Sequence, residues 1–235
     1  MDFNEYINRG MSFFQEKKFG PAIENFEAAL KIQPGNADLR QMIEMLKTQA
    51  DNNSKFAQAC ESEAKHRANI MGQLFGVKLE KITDVDKIIA EYTQTLKLNP
   101  NDASAKSILA SAHYIRGLMS ESKEEYARAV GEYSAAIKNE PDYPLAFKNR
   151  GRANLKIGNY DQAIKDFEKT IQFNPDDPKP RQDLAGAYME RGIAHDQKRD
   201  YARAAADFEM VLKFDPNDNS ARELLEMAKV EMQKK

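Results

Sequence analysis

An excess of charge of one sign is missing from this chain. Its 35 basic and 37 acidic residues leave a formal net charge of −2, so nothing is available to displace counterions from a phosphate backbone, and nucleic-acid binding is disfavoured. Long apolar runs are missing too. No window approaches the ~18 apolar residues of a spanning helix, so no membrane contact is expected. The opening MDFNEYINRG is acidic and polar where a secretory leader would be basic and then apolar. The single cysteine, Cys60, cannot form an internal disulfide, and cytoplasm is the expected location.

The residues of catalysis are equally scarce. His113 and His195 have no cysteine or carboxylate at metal-ligand spacing along the chain, and His66 is the only other histidine. Cys60 lacks a local nucleophile signature, and the glycines occur singly rather than in a phosphate-cradling loop. No enzyme, metal or cofactor is expected. The acid pairs Glu124-Glu125 and Asp176-Asp177 read as helix starts, where carboxylates bond exposed amides and complement the macrodipole. Met42, Met45, Met227 and Met232 lie at helical spacing and read as core.

What is present is a repeated punctuation. Five prolines, Pro34, Pro100, Pro141, Pro175 and Pro216, each follow an amphipathic stretch and precede polar residues that start a helix. Twelve residues before four of them stands an alanine: Ala22, Ala129, Ala163 and Ala204. Eight before each stands an aromatic: Phe26, Tyr92, Tyr133, Phe167 and Phe208. Twenty-four before each stands a glycine: Gly10, Gly76, Gly117, Gly151 and Gly192. A glycine inside a helix costs ~1 kcal/mol against alanine, so its recurrence calls for close approach of two elements.

This grammar resembles the tetratricopeptide repeat family, whose 34-residue unit is a pair of antiparallel helices. The most regular unit runs from Pro144 to Asp177. The resemblance implies an all-α, helix-turn-helix solenoid wound as a right-handed superhelix and closed by a C-terminal capping helix. The proline spacings are 66, 41, 34 and 41. Each 41 is one heptad longer than the repeat, which lengthens a helix while returning its side chains to nearly the same face. One long helix is expected from about Pro178 to Lys198, and another across Asp102 to Met119.

The interval of 66 suggests a division. LRQMIEMLK, from Leu39 to Lys47, resembles ARELLEMAK, from Ala221 to Lys229, which would be the terminal cap. Asp51-Asn52-Asn53-Ser54 then reads as a turn and helix start, followed by a long helix over 55–81. One organisation is therefore a repeat plus cap over 1–50 and an array over 51–235. The other is a single unbroken superhelix containing a degenerate repeat.

The resemblance also implies a function. First helices line a concave groove that holds extended peptides or helices of partners. The family's groove positions fall on Tyr114, Ile115, Lys148, Asn149, Arg152 and Met189, and Lys148, Arg152 and Lys156 form a basic stripe at i, i+4 and i+8. The expected role is a non-enzymatic adaptor for a protein or peptide partner, acidic if the stripe is used. The alternative for the stripe is neutralisation by Glu121 and Glu190. Asn149 matches the middle asparagine of the family's chaperone-tail clamp, but Tyr114, Leu118, Gly186 and Glu190 replace its flanking residues, so that clamp is not assigned. A different class of function is self-association, a homo-oligomer built through residues 1–50.

Overall fold

Five of the described helices begin at an aspartate, and five end two residues before a proline. The side chains of Asp2, Asp102, Asp177, Asp200 and Asp218 each accept a hydrogen bond from a first-turn amide, satisfying groups that the helix cannot. At the other ends, Glu140 and Asp215 are extended ahead of Pro141 and Pro216, as the proline ring requires of the residue before it.

The computed structural model describes residues 2–16, 18–51, 54 and 85–234, and its described residues contain helices and turns but no strand. Two compact units result, Met1–Cys60 and Glu61–Lys235. The first holds α1 (Phe3–Gln15), α2 (Phe19–Ile32) and α3, a helical run over 37–51. The second holds α4 (Val85–Leu98), α5 (Ala103–Ser122), α6 (Tyr126–Asn139), α7 (Pro144–Lys156), α8 (Tyr160–Phe173), α9 (Pro178–Gln197), α10 (Tyr201–Phe214) and α11 (Asn219–Gln233). Consecutive helices of the second unit pack in series, with α5/α6, α7/α8 and α9/α10 as antiparallel pairs. The lengthened α5 and α9 have 20 residues each, against 13 in α7.

Each pair is locked by one contact. A Cβ built on Gly10, Gly117, Gly151 or Gly192 would lie 2.4–2.8 Å from the ring of Phe26, Tyr133, Phe167 or Phe208, sixteen residues later. The glycine therefore admits an aromatic ring from its own pair rather than another backbone, and all four rings are fully buried. Seven residues after three of these glycines the chain turns through a left-handed position: Glu124 (φ 60°), Gly158 (φ 78°) and Arg199 (φ 59°). The next amide bonds the carbonyl five residues back, at 2.9 Å in all three turns.

Several expectations change here. Glu124 occupies a left-handed turn, and Glu125 stands at the start of α6 without a side-chain cap bond, whereas Asp177 does cap α9. Asp51 and Ser54 are helical rather than a turn. The helix over 55–81, with Cys60, His66 and Gly76, lies outside the described residues. The sequence likeness of α3 and α11 is matched in detail. Leu39, Ile43 and Leu46 are buried as Ala221, Leu225 and Ala228 are, and Arg40 and Arg222 donate to the carbonyls of Pro34 and Pro216 at 2.8 and 2.7 Å. Met45, Met227 and Met232 are exposed rather than core; only Met42 packs inward. They lie on the faces of these helices that turn away from the buried clusters.

Gly117→Ala should lower stability by about 1–3 kcal/mol, because the new methyl must displace the Tyr133 ring in a packed core. Gly131→Ala, in α6 with nothing within 4 Å of the added carbon, should raise it by up to about 1 kcal/mol. Urea unfolding of the two variants reads both signs.

Candidate functional site

The α7 sequence PLAFKNRGRANLK places its small residues inward and its cations outward. Ala146, Gly151 and Ala153 are buried, so Lys148, Arg152 and Lys156, four residues apart, share the opposite edge. The extra first turns of α9 lie opposite. Arg152 Nη2 donates to Asp183 of α9 at 2.9 and 3.2 Å. Lys148 is half-buried and makes no hydrogen bond or ion pair. Its ammonium is held below the usual lysine range, first by burial and then by Arg152. Lys179 adds to this positive field, and Asp183 and Asp177 oppose it. Lys156 is exposed, and Met189 is partly buried. Glu190 is pushed up by desolvation, with Lys156 pulling against it.

Two of the seven groove candidates are not on the surface at all. Tyr114 and Ile115 are 1% and 0% exposed. Tyr114 packs its ring against Tyr133 and Tyr143, with centroids 5.6 and 5.1 Å away, and Ile115 belongs to the same core cluster. Apolar packing wins at these positions, so both are removed from the candidate site. Asn149 is 9% exposed and its Nδ2 donates to the Tyr114 hydroxyl at 3.0 Å, which ties it to the core rather than to a ligand. The structure brings Lys148, Arg152 and Lys156 onto one edge and adds Lys179 and Asp183 from α9. Those two were not singled out because the added heptad of α9 shifts the register in which groove positions are counted. Glu121 does not neutralise the stripe: it is buried and accepts from the Tyr133 hydroxyl at 2.8 Å.

The family model described as tetratricopeptide repeat matches residues 144–177, and a second model of the same description matches 6–36 and 185–218. This chain is a tetratricopeptide repeat protein. Its similar proteins include Hsp70-Hsp90 organizing protein 3 of Arabidopsis thaliana, 28% identical over 97 residues, covering 41% of this chain and 16% of that protein. Stress-induced-phosphoprotein 1 of Caenorhabditis elegans is 22% identical over 172 residues, covering 72% of this chain and 51% of that protein. The chain thus spans between about a sixth and a half of these relatives. Among solved structures, the second TPR domain of human RPAP3 in complex with the HSP70 peptide SGPTIEEVD is 26% identical with a TM-score of 0.36, covering 54% of this chain and 98% of that one. MamA is 19% identical with a TM-score of 0.36, covering 93% and 94%.

The tetratricopeptide repeats here carry an ion pair that the sequence reading overlooked. In three repeats the arginine before the glycine reaches the carboxylate before the aromatic. Arg150 holds Asp166 through Nε and Nη2 at 2.9 and 2.7 Å, and Arg191 holds Asp207 at 2.9 and 2.6 Å. Arg116 Nε lies 2.8 Å from Glu132, an ion pair without hydrogen-bond alignment. Two of the arginines also reach back thirty residues to the preceding repeat, Arg116 to Asp86 at 2.7 Å and Arg191 to Asp161 at 2.6 Å. The clue was the constant offset of sixteen between Arg-Gly and Glu-Tyr, Asp-Phe and Asp-Phe; in the first repeat Asn25 stands at that place. His113 also finds a carboxylate across helices, its Nδ1 2.9 Å from Glu132. Among the described residues no group of three or more histidine, cysteine or acidic side chains could hold a metal, and no helix could span a membrane.

Desolvation alone would lift the Glu132 carboxyl, but the His113 ring and the Arg116 charge beside it hold it below its ordinary value. A carboxyl depressed in the fold stabilises fully above its unfolded pKa, about 4.3, and loses that contribution as pH falls through the lower folded value. Glu132→Gln should therefore flatten the loss of stability below about pH 5, followed by thermal melts from pH 7 to 3. At Asp166, 1% exposed, replacement by alanine strands the Arg150 charge and should cost about 3 kcal/mol. Replacing Asp166 by leucine and Arg150 by methionine together should cost less than that single change, and urea unfolding compares the two.

Proposed function

We infer that the chain is a non-enzymatic adaptor that holds an acidic segment of a partner protein against the face formed by α7 and the first turns of α9. The observation that carries this reading is Lys148, half-buried beside Arg152 and without an anionic partner of its own. An ammonium kept partly out of water is costly until an anion meets it, so a carboxylate from a ligand gains more here than at a fully solvated lysine. Arg152, fixed by Asp183, supplies a second cation at little further ordering cost. Lys156 and Lys179 extend the field, and Met189 offers apolar contact. Relatives named for Hsp70 and Hsp90, and the RPAP3 domain bound to an HSP70 peptide, agree with a protein-binding role. They do not carry over that partner, since Tyr114 and Leu118 are core residues in this chain. The cytoplasm suits such a role.

A second reading, self-association through residues 1–50, is favoured by the exposed apolar side chains of Phe14, Ile32 and Met45 in the first unit. Sedimentation of the full chain over a hundredfold concentration range tests it; a constant monomer mass sinks it.

For the groove, fluorescence anisotropy with a labelled hexaglutamate peptide and with SGPTIEEVD separates a general acidic preference from tail recognition. Replacing Lys148 and Arg152 together by glutamate should weaken hexaglutamate binding at least ~10-fold, about 1.4 kcal/mol. Unchanged binding removes the reading. Lys148→Met should weaken binding while raising the melting temperature, because the buried cation is relieved.

A further inference from the structure

A different surface of the second unit, at its helix-turn edge, carries charge without partners. A pocket of about 390 Å³ opens between the α7–α8 turn and the last turns of α9. A neighbouring one of about 440 Å³ lies at the α9–α10 turn, and Lys198 lines both. Lys165 and Lys198 in the first pocket, and Arg199 in the second, are exposed and make no side-chain hydrogen bond or ion pair. Arg191 lines the first pocket but is already held by Asp161 and Asp207 at 2.6 Å each. The single lining carboxylate, Asp161, is the one bound to Arg191. In the first pocket two unpaired lysines therefore face one neutralised anion, with the His195 ring beside them, and in the second Arg199 lies beside Asp200, which is held by Arg203.

The arrangement belongs to this edge and not to the repeat. In the preceding pair of helices, the places of Lys165, His195 and Lys198 are taken by Gly131, Asn154 and Ile157. The backbone contributes in the same direction. The start of α8 has no side-chain cap, and the Asn159 side-chain amide nitrogen donates to the Asn154 side-chain oxygen at 3.4 Å. Residues of that first turn, Tyr160, Asp161 and Gln162, line the pocket alongside the lysines, and first-turn amides have no partner within their own helix. A compact dianion satisfies both the amides and the two ammonium groups, and a phosphate monoester carries about −1.5 to −2 charge with three acceptor oxygens. The adjoining pocket adds Arg199 and the 45% exposed Met232, which gives a chain attached to that phosphate a place to continue.

We propose that this edge binds a phosphorylated segment of a partner protein, with the phosphate between Lys165 and Lys198 and the flanking residues over Arg199 and Met232. The surface is separate from the α7–α9 face and stands or falls independently of it. The test uses the full chain and a fluorescent Gly-Ala-phosphoserine-Gly-Leu-Ala peptide, its unphosphorylated twin, O-phosphoserine and inorganic phosphate. The phosphopeptide is expected to bind at least ~10-fold more tightly than the twin and than O-phosphoserine, a gap of about 1.4 kcal/mol. Lys165→Glu with Lys198→Glu should abolish that preference, Lys165→Gln with Lys198→Gln should reduce it, and Lys148→Glu should leave it intact. Circular dichroism checks that the variants fold, as exposed side chains without partners should allow. Equal binding of both peptides, or undiminished binding by the charge-reversed variant, overturns the proposal. Inorganic phosphate competing as well as the peptide overturns the partner segment and leaves a small-anion site.

Discussion

The helix pairs of this protein depend on one contact, a ring pressed against a glycine sixteen residues earlier. A side chain on the glycine would occupy the space of the ring, so the two positions constrain one another and together set how closely a pair can close. The ion pair between the preceding arginine and the preceding carboxylate lies alongside that contact. Asp166 is almost wholly buried, and its oxygens are met by Arg150, Gln162 and Asn154, which is the condition under which a buried charge is tolerated. Apolar fit supplies the attraction. The arginine supplies direction, and where it also reaches the previous repeat it joins two helix pairs.

Insertion of a heptad changes the outer faces without disturbing this core. In α9 the glycine that receives the aromatic is Gly192, and Gly186 meets nothing within 4 Å. The added turns lie ahead of the repeat proper, and there they place Lys179 and Asp183 opposite α7. The helix was lengthened by a number of residues that keeps its buried stripe nearly aligned, so new polar groups could appear on the open side while the buried side stayed as it was. The candidate groove is therefore a product of an irregularity in the repeat.

Much of this was legible beforehand. The helices, their proline ends, the lengthened α5 and α9, and the kinship of α3 with α11 followed from periodicity, because helix boundaries depend on local chemistry. The groove was legible only in part. Counting positions along a regular repeat put Tyr114 and Ile115 beside Lys148, yet aromatic packing with Tyr133 and Tyr143 draws the first two into the core. The arginine staples escaped because each requires two distant residues to be read as a pair. Met45, Met227 and Met232 misled for a related reason: helical spacing says that residues share a face, and not whether anything covers it.

By itself the sequence determined that the chain folds into helix pairs and where each pair opens and closes, since these rest on steric rules that act within about thirty residues, whereas the meeting of each repeat glycine with the ring of its own pair came from the packing. Tertiary structure decided which groove positions stay open, which cations are already matched and which remain unmatched. Burial and ion pairing depend on what neighbouring helices bring within a few ångströms, and in a solenoid those neighbours lie thirty or more residues away along the chain.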